Sequence, residues 1–466
     1  MVMPGIVGDI VIGRVEGFEL GKVIIRIEEP RVGDINRLQF LRIGGLLVTR
    51  SDDQYILLEV ANISRRKGEK ATTVECKILG MPYEYKGRKV LINYLGIVDI
   101  GEEVIFPGKE SLEGIFKGSV RNTLEIGKWV PISGMTTDYE ISIDVDELLS
   151  SGFLILADRG FGKTLMLKKI IEKIWDKGLL EDTAVIIIDP RGDVFSSLRS
   201  SSVIRDRSKI VHLSPQEAIA EVRKGFGIQY VSLEKILTLI SPLLSVSEYR
   251  EVRRKLRELF DSKAKSGKRK VTIEDLEELK EKYPVVYEEL KSYEESRSKM
   301  LEAGYITILD LTKGFESISS QEQAVAEILS TCFEEFKLRF LTEGWNTPRL
   351  LFIIEEISRF LPRPGREFSD KTPEIRRLLT DILATMGRMK ISVIGTTSYP
   401  SILSPIARYL MGNFAVGGFV SERDAKTISE DFMLSESIIR STLPGEFILL
   451  GNFLPIRGLP IKVKIS

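Results

Sequence analysis

Histidine and cysteine are almost absent from this 466-residue sequence, which has one histidine, His212, and two cysteines, Cys76 and Cys332. With a single histidine, catalysis by a histidine-based mechanism is a poor prediction, and we interpret His212 as an ordinary surface or core residue. The two cysteines lie far apart and lack metal-site spacing, which is typical of proteins in a reducing cytoplasm.

The sequence also lacks any apolar run near the roughly 18 residues of a membrane span, and a basic-then-apolar leader. We therefore expect a soluble, cytoplasmic protein without a membrane segment. Neither charge dominates, since Lys plus Arg and Asp plus Glu both number 67, so any nucleic-acid-binding surface must be local. Charged residues make up 29% of the chain while glutamine, cysteine and histidine are scarce, a pattern typical of thermophile proteins.

Short alternating apolar segments separated by glycine and charged turns fill residues 5 to about 107, from "IVGDIVIGRVEG" to "GEEVIFP". This pattern predicts a small closed or nearly closed β-barrel over residues 1–110. Such a barrel has no evident chemistry of its own, and we interpret it as an assembly or docking module.

From residue 151 the pattern changes to buried strands alternating with helices, which predicts an α/β core with a mostly parallel sheet. We divide this part into a first core segment (111–214), a charged helical insertion (215–302) and a second core segment (303–466). The strand in "AVIIIDPRGD" ends at Asp189 and is followed by Asp193.

A phosphate-binding loop is predicted where the apolar strand "FLIL" runs into "ADRGFGKTL". Glycines allow backbone amides to turn toward one point, and a helix N-terminus with its partial positive charge follows. Lys163 would reach the β- and γ-phosphates of ATP and Thr164 would ligate Mg²⁺. Alanine stands at position 157, where the full pattern has glycine; the alternative interpretation is a plain strand-to-helix turn. The predicted nucleotide-binding residues of the loop are Asp158, Arg159, Gly160, Phe161, Gly162, Lys163, Thr164 and Leu165.

A second strand, in "LLFIIEEISRF", ends in the acidic pair Glu355 and Glu356. An ATP hydrolase needs one acid in the Mg²⁺ shell and another to orient and activate the attacking water. We assign Glu355 to the metal's water shell and Glu356 to the catalytic water. The alternative is a pair of surface glutamates at a strand end.

The order of these motifs, with "FIIEEISRFLP", "MGRMKISVIGTTSYPSILSP" and a closing "GEFILLGN", resembles the HerA family of archaeal DNA-translocating ATPases within the HerA–FtsK group. The resemblance covers nearly the whole chain. It implies a RecA-like P-loop ATPase core and a ring-shaped homohexamer with an ATP site at each subunit interface. It also implies double-stranded DNA in the central channel and an N-terminal barrel that docks a NurA-type nuclease.

The sequence departs from the family pattern at several positions of mechanistic interest. Arg159 and Phe161 replace the usual threonine and serine of the phosphate loop, and Ser358 replaces a histidine. The family's glutamine sensor aligns with Ser398 and its following arginine with Tyr399. The candidates for a polar γ-phosphate sensor are Thr396, Thr397 and Ser398.

Arg388 matches the family's Gly-Arg arginine, which can reach across a subunit interface and stabilise charge on the γ-phosphate. The alternative is a helix-end arginine paired with Asp381 or Glu374. Lys390 is the second candidate for the same task.

Contacts to DNA phosphates would come from lysine and arginine side chains. Two basic groups in the insertion are candidates, although charge runs are usually solvated faces. They are Arg250, Arg253, Arg254 and Arg257, and Lys263, Lys265, Lys268, Arg269 and Lys270.

These observations favour an ATP-driven double-stranded DNA translocase or helicase that acts with a nuclease in DNA end processing. Two alternatives stay open. In the first, the protein is still an ATP-driven motor but acts in DNA transfer, conjugation or packaging. In the second, it is a nucleotide-gated scaffold with weak hydrolysis.

Overall fold

The computed structural model describes residues 8–465 except 20, 29–40, 52–53, 66–70, 95, 117–121, 132–136, 205, 225–232, 266–270, 296–297 and 315–316. The chain forms two compact units. Unit 1 contains Met1–Lys173, Thr397–Ser401 and Met411–Ser466, and unit 2 contains Ile174–Thr396 and Ile402–Leu410.

The described strands and helices follow one another in this order along the chain. The strands are β1 (Ile10–Glu19), β2 (Lys22–Glu28), β3 (Leu46–Ser51), β4 (Gln54–Ser64), β5 (Ala71–Tyr85), β6 (Arg88–Ile92), β7 (Glu103–Phe106), β8 (Thr123–Trp129), β9 (Glu140–Asp144), β10 (Phe153–Leu156), β11 (Thr183–Asp189), β12 (Ile210–Leu213), β13 (Ile306–Asp310), β14 (Arg349–Ile354), β15 (Ile391–Thr397), β16 (Asn413–Val416), β17 (Glu446–Gly451), β18 (Ile456–Arg457) and β19 (Ile461–Lys464). The helices are α1 (Lys109–Phe116), α2 (Val145–Ser151), α3 (Lys163–Asp176), α4 (Asp193–Arg199), α5 (Pro215–Arg223), α6 (Leu233–Ile240), α7 (Val246–Lys265), α8 (Glu277–Lys282), α9 (Pro284–Glu295), α10 (Ile318–Glu343), α11 (Thr372–Thr385), α12 (Pro405–Leu410), α13 (Glu422–Phe432) and α14 (Glu436–Arg440).

Six strands of unit 1 close into an antiparallel barrel in the order β5-β2-β1-β7-β3-β4, and the pairing of β4 with β5 completes the ring. Successive side chains of a strand point to opposite faces, and the apolar ones point into the barrel. In β2, for example, Val23, Ile25 and Ile27 are buried while Lys22 and Arg26 are exposed. The predicted N-terminal barrel is therefore confirmed. Strand β6 stays outside the ring and pairs with the second half of β5 and with β18.

Unit 1 also contains the strand that leads into the predicted phosphate loop. Strand β10 is fully buried and runs parallel to β16, after which β17, β19, β8 and β9 continue the sheet in antiparallel pairs. A fully apolar strand such as β10 suits a position that is covered on both faces.

The strands of unit 2 form a parallel sheet in the order β12-β13-β11-β14-β15. Strands β11, β13 and β15 are buried along their whole length. Because the strands are parallel, the residues that follow β11, β13 and β14 lie at one edge of this sheet, the edge at which such sheets place ligands.

Helices α5 to α9 lie between β12 and β13 in the chain. Helices α6 to α9 share a hydrophobic cluster that includes Ile240, Val252, Leu256, Val286 and Leu290. None of the helices in the described ranges is both long and apolar enough to cross a membrane.

Candidate nucleotide-binding site

The loop between β10 and α3 in unit 1 has the backbone of a phosphate-binding turn. Gly160 and Gly162 have φ values of +81° and +102°, a region that favours glycine. The Met166 N–H donates to the Gly162 carbonyl at 2.9 Å as α3 begins. Thr164 and Leu165 lie in the first turn of α3, and Leu165 is 43% exposed.

Lys163 is buried and directs its ammonium group into the loop. Its Nζ donates to the Ala157 carbonyl at 2.9 Å, to the Asp158 carbonyl at 3.2 Å and to the Ser398 Oγ at 2.8 Å. Ser398, one of the three predicted sensor residues, is thus in contact with the loop lysine. A cation fixed in this way needs little rearrangement to meet a phosphate.

Two departures from the usual loop sequence are matched by a glycine pair after β16. A Cβ built on Gly417 would lie 2.7 Å from the Ala157 Cβ, and one built on Gly418 would lie 2.3 Å from the Phe161 ring. Phe161 therefore packs against Gly418, and its carbonyl accepts a hydrogen bond from the Gly445 N–H at 2.9 Å. The Phe161 side chain serves the packing of the loop.

Asp158 and Arg159 form the tip of the loop. The Asp158 carboxylate accepts the backbone N–H of Arg159 at 2.8 Å and that of Val420 at 3.2 Å. The Arg159 guanidinium lies 5.9 Å from the centre of the Tyr399 ring. Asp158 thus fastens the loop to the segment after β16.

At the ligand edge of unit 2, Asp189 builds the turn that follows β11. Its buried carboxylate accepts backbone N–H groups from Arg191 at 3.1 Å, Gly192 at 2.8 Å and Val194 at 2.9 Å. These bonds satisfy donors at the start of α4 and fix the position of Arg191.

Glu355 is 4% exposed, and its N–H donates to the Ile188 carbonyl at 3.0 Å. Burial, reinforced by the charges of Asp189, Asp193 and Glu356, raises the pKa of Glu355 to about 8, and Arg191 opposes this rise. A carboxyl group in such surroundings favours a bound proton or a bound cation. Within the described residues, no group of three or more histidine, cysteine, aspartate or glutamate side chains is arranged to hold a metal ion.

Glu356 occupies the left-handed region, with φ +48° and ψ +50°, which is rare for a residue with a side chain. Its N–H donates to the Thr396 Oγ1 at 3.2 Å, and its Oε1 accepts a bond from Arg191 Nη2 at 2.8 Å. The sequence did not predict Arg191 as a site residue. The available signal was its place in "DPRGD", directly after a buried strand that ends in an acid.

Arg388 follows the C-terminus of α11 and is exposed. Within the described ranges its side chain has no hydrogen bond or ion pair, and Glu374, one of its two predicted alternative partners, lies 3.8 Å from Lys371. Lys390 instead donates to the carbonyls of Trp345 at 3.1 Å and Thr347 at 2.7 Å. Lys390 is therefore engaged internally, whereas Arg388 is accessible.

The basic residues of the insertion differ in their environment. The four arginines of α7 (Arg250, Arg253, Arg254 and Arg257) are exposed, and Arg254 contacts Glu258 at 3.3 Å. Lys263 pairs with Asp275 at 2.5 Å. Lys268, Arg269 and Lys270 lie outside the described residues, as does the side chain of Lys265.

His212 lies in β12 and is partly buried. Its Nε2 is 3.0 Å from Asp310 Oδ2, and its ring stacks on Phe195 with 3.7 Å between ring centres. The contact with Asp310 and the stacking on Phe195 hold the ring of the single histidine in place.

Comparison with protein families links the phosphate loop to a known group of proteins. Residues 124–339, a little less than half of the chain, match the family model described as "Helicase HerA, central domain". The matched span contains the loop and Asp189 and ends before Glu355. A search of curated protein sequences finds no match.

Several solved structures are similar to this chain at low identity. VirB4 of Thermoanaerobacter pseudethanolicus is 15% identical, with a TM-score of 0.41, over 74% of this chain and 96% of that chain. The genome packaging NTPase B204 from Sulfolobus turreted icosahedral virus 2, in complex with AMP, is 9% identical, with a TM-score of 0.32, over 65% and 93%. The pCW3 conjugation coupling protein TcpA is 13% identical, with a TM-score of 0.33, over 98% and 90%.

The buried strand, the glycine-bearing loop and the inward-facing Lys163 define a P-loop ATPase fold. The family match over residues 124–339 confirms the resemblance to the HerA family that was inferred from the motifs.

The raised pKa of Glu355 predicts a pH-dependent stability. Between its ordinary pKa of 4.5 and about 8, the folded chain binds more protons at this site than the unfolded chain. The free energy of unfolding should therefore fall as the pH rises, by at most about 1.4 kcal/mol per pH unit. Glu355→Gln removes this contribution, so its stability relative to the wild type should increase from about pH 5 to pH 8 in urea denaturation.

Glu374→Gln, at an exposed position on α11, is the matched control. A stability difference between Glu355→Gln and the wild type that stays constant across this pH range would contradict the assignment.

The contact between Ala157 and Gly417 predicts coupled mutations. Gly417→Ala should destabilise the protein by about 1–3 kcal/mol, because two methyl groups would compete for one space. Ala157→Gly in the same chain should remove most of that cost. A double-mutant cycle measured by denaturation tests the coupling, and simple additivity of the two changes would exclude it.

Proposed function

We propose that this protein is an ATP-driven double-stranded DNA translocase that works as a homohexameric ring and supplies DNA ends to a partner nuclease. The observation that carries the proposal is the HerA central-domain match over residues 124–339, the span that contains the phosphate loop. The contacts of Lys163 support nucleotide binding, and the buried acidic pair supports hydrolysis.

In this proposal the loop binds the phosphates of ATP through backbone amides from Asp158 to Leu165. Lys163 holds the β- and γ-phosphates, and Ser398, already bonded to its ammonium, senses the γ-phosphate. We assign Thr164 as the residue that would ligate Mg²⁺ and Glu355 as the residue that would contact its water shell; the ion would supply positive charge to neutralise these phosphates.

Glu356 is the residue we assign to the catalytic water. The strained backbone and the Arg191 contact fix the direction of its carboxylate, and such strain is common where a side chain must be aimed. Thr396 anchors the Glu356 backbone, and it lies two residues before Ser398 in the sequence.

Arg388 is assigned as the arginine that acts on the neighbouring subunit's nucleotide. Its exposure, together with the internal engagement of Lys390, supports this choice between the two candidates. A trans-acting arginine makes hydrolysis depend on ring assembly.

The barrel and α7 are the proposed partner surfaces. A closed barrel offers no free strand edge, so a NurA-type nuclease would be recognised by loops, in which Ile43, Ile97 and Ile100 are exposed. The exposed arginines of α7 are the proposed DNA-phosphate contacts.

Steady-state ATP hydrolysis, measured with and without linear duplex DNA, tests the proposed function. Turnover should rise with DNA and be abolished in Lys163→Ala. Glu356→Gln should lower turnover by about 10²–10⁴-fold while nucleotide binding persists, because only the activation of water is lost.

Lys168→Ala, on the same helix α3 as Lys163, is the matched control and should retain turnover. ATP binding with negligible turnover in all conditions would overturn the translocase and favour a nucleotide-gated scaffold.

Mixing two inactive variants tests whether Arg388 acts across a subunit interface. In a mixed ring of Lys163→Ala and Arg388→Ala chains, some interfaces join an intact Lys163 to an intact Arg388. DNA-stimulated turnover should therefore partly recover on mixing, although each variant alone is inactive. If Arg388 acted within its own chain, no mixture would recover.

A further inference from the structure

Arg159 places a second cation at the tip of the phosphate loop. The neighbouring carboxylate, Asp158, accepts two backbone N–H groups, those of Arg159 and Val420. Among the residues that the structure describes, the Arg159 guanidinium has no carboxylate partner, and its side chain is exposed. The guanidinium contacts the Tyr399 ring instead, at 5.9 Å from the ring centre.

This pair lies beside the loop lysine. Lys163 Nζ contacts the Asp158 carbonyl and the Ser398 Oγ, and these are the residues immediately before Arg159 and Tyr399. The phosphate loop and the segment after β15 thus meet in two adjacent contacts, one through the Lys163 ammonium and one through the Arg159 guanidinium. Arg159 is therefore at the same end of the loop as the ammonium that meets the β- and γ-phosphates.

Tyr399 is built to hold the guanidinium. The Tyr399 backbone N–H donates to the Thr397 Oγ1 at 3.0 Å, which fixes its backbone, and the residue is 40% exposed. A guanidinium held over an aromatic ring at this distance keeps its N–H groups available, and these match the oxygens of a phosphate. The contact also restricts a long, exposed side chain, which lowers the entropy lost on binding.

We propose that Arg159, positioned by Tyr399, is a direct ligand of the terminal phosphate of ATP and makes the site discriminate ATP from ADP. The inference rests on the proposed nucleotide-binding function of the loop. It assigns a role to the Arg159 side chain, beyond the role of the loop backbone, and it makes Tyr399 a positioning residue.

Calorimetric titration of the full chain with AMPPNP and with ADP tests the assignment. Arg159→Ala should weaken AMPPNP binding about tenfold or more and change ADP binding by less than about twofold, because only the triphosphate reaches the guanidinium. Tyr399→Ala should shift the AMPPNP-to-ADP ratio in the same direction. Tyr399→Phe keeps the ring and should bind both nucleotides as the wild type does.

Lys168→Ala removes a positive charge from α3 and should leave the ratio unchanged, which controls for net charge. An equal loss of both nucleotides, or no loss, in Arg159→Ala would overturn the inference while the proposed function stands. A wild-type ratio in Tyr399→Ala would overturn the positioning role. If the wild-type chain bound neither nucleotide, the proposed function itself would fail.

Discussion

Strands buried on both faces impose the main constraint on the parallel sheet of unit 2. Every residue of β11, β13 and β15 is buried, so a charged side chain avoids a large desolvation cost only where a strand ends. Asp189, Asp310 and Glu355 occupy such places. The same constraint that makes these strands stable therefore concentrates the acidic groups and produces the unusual protonation of Glu355.

Much of this arrangement could be predicted from the sequence because it depends on local signals. The alternating pattern of the first hundred residues gave the barrel strands, and "FLIL" before a glycine-rich turn gave the strand, loop and helix around Lys163. The position of Glu355 and Glu356 after five apolar residues placed them at a strand end. The residues involved are neighbours in sequence, so periodicity and turn chemistry suffice.

The contacts of the site depend on residues far apart in the chain, and no local pattern predicts them. Arg191 and Glu356 are 165 residues apart, and their ion pair follows from the order in which β11 and β14 pair. The support of Ala157 and Phe161 by Gly417 and Gly418 depends on the parallel pairing of β10 and β16. A glycine pair after a strand indicates that another part of the chain approaches the backbone closely, but the pattern does not identify that part.

The packing of Ala157 and Phe161 on two glycines also bears on whether this loop can be transferred to another protein. A bulky residue at position 161 is accommodated only when position 418 carries no side chain, and the same relation holds for positions 157 and 417. Phe161 and a glycine at position 418 are thus required together, and any exchange of the loop sequence has to keep this pairing. For the same reason, this loop cannot be transferred alone. Grafting it into another P-loop protein requires grafting the segment after β16 as well.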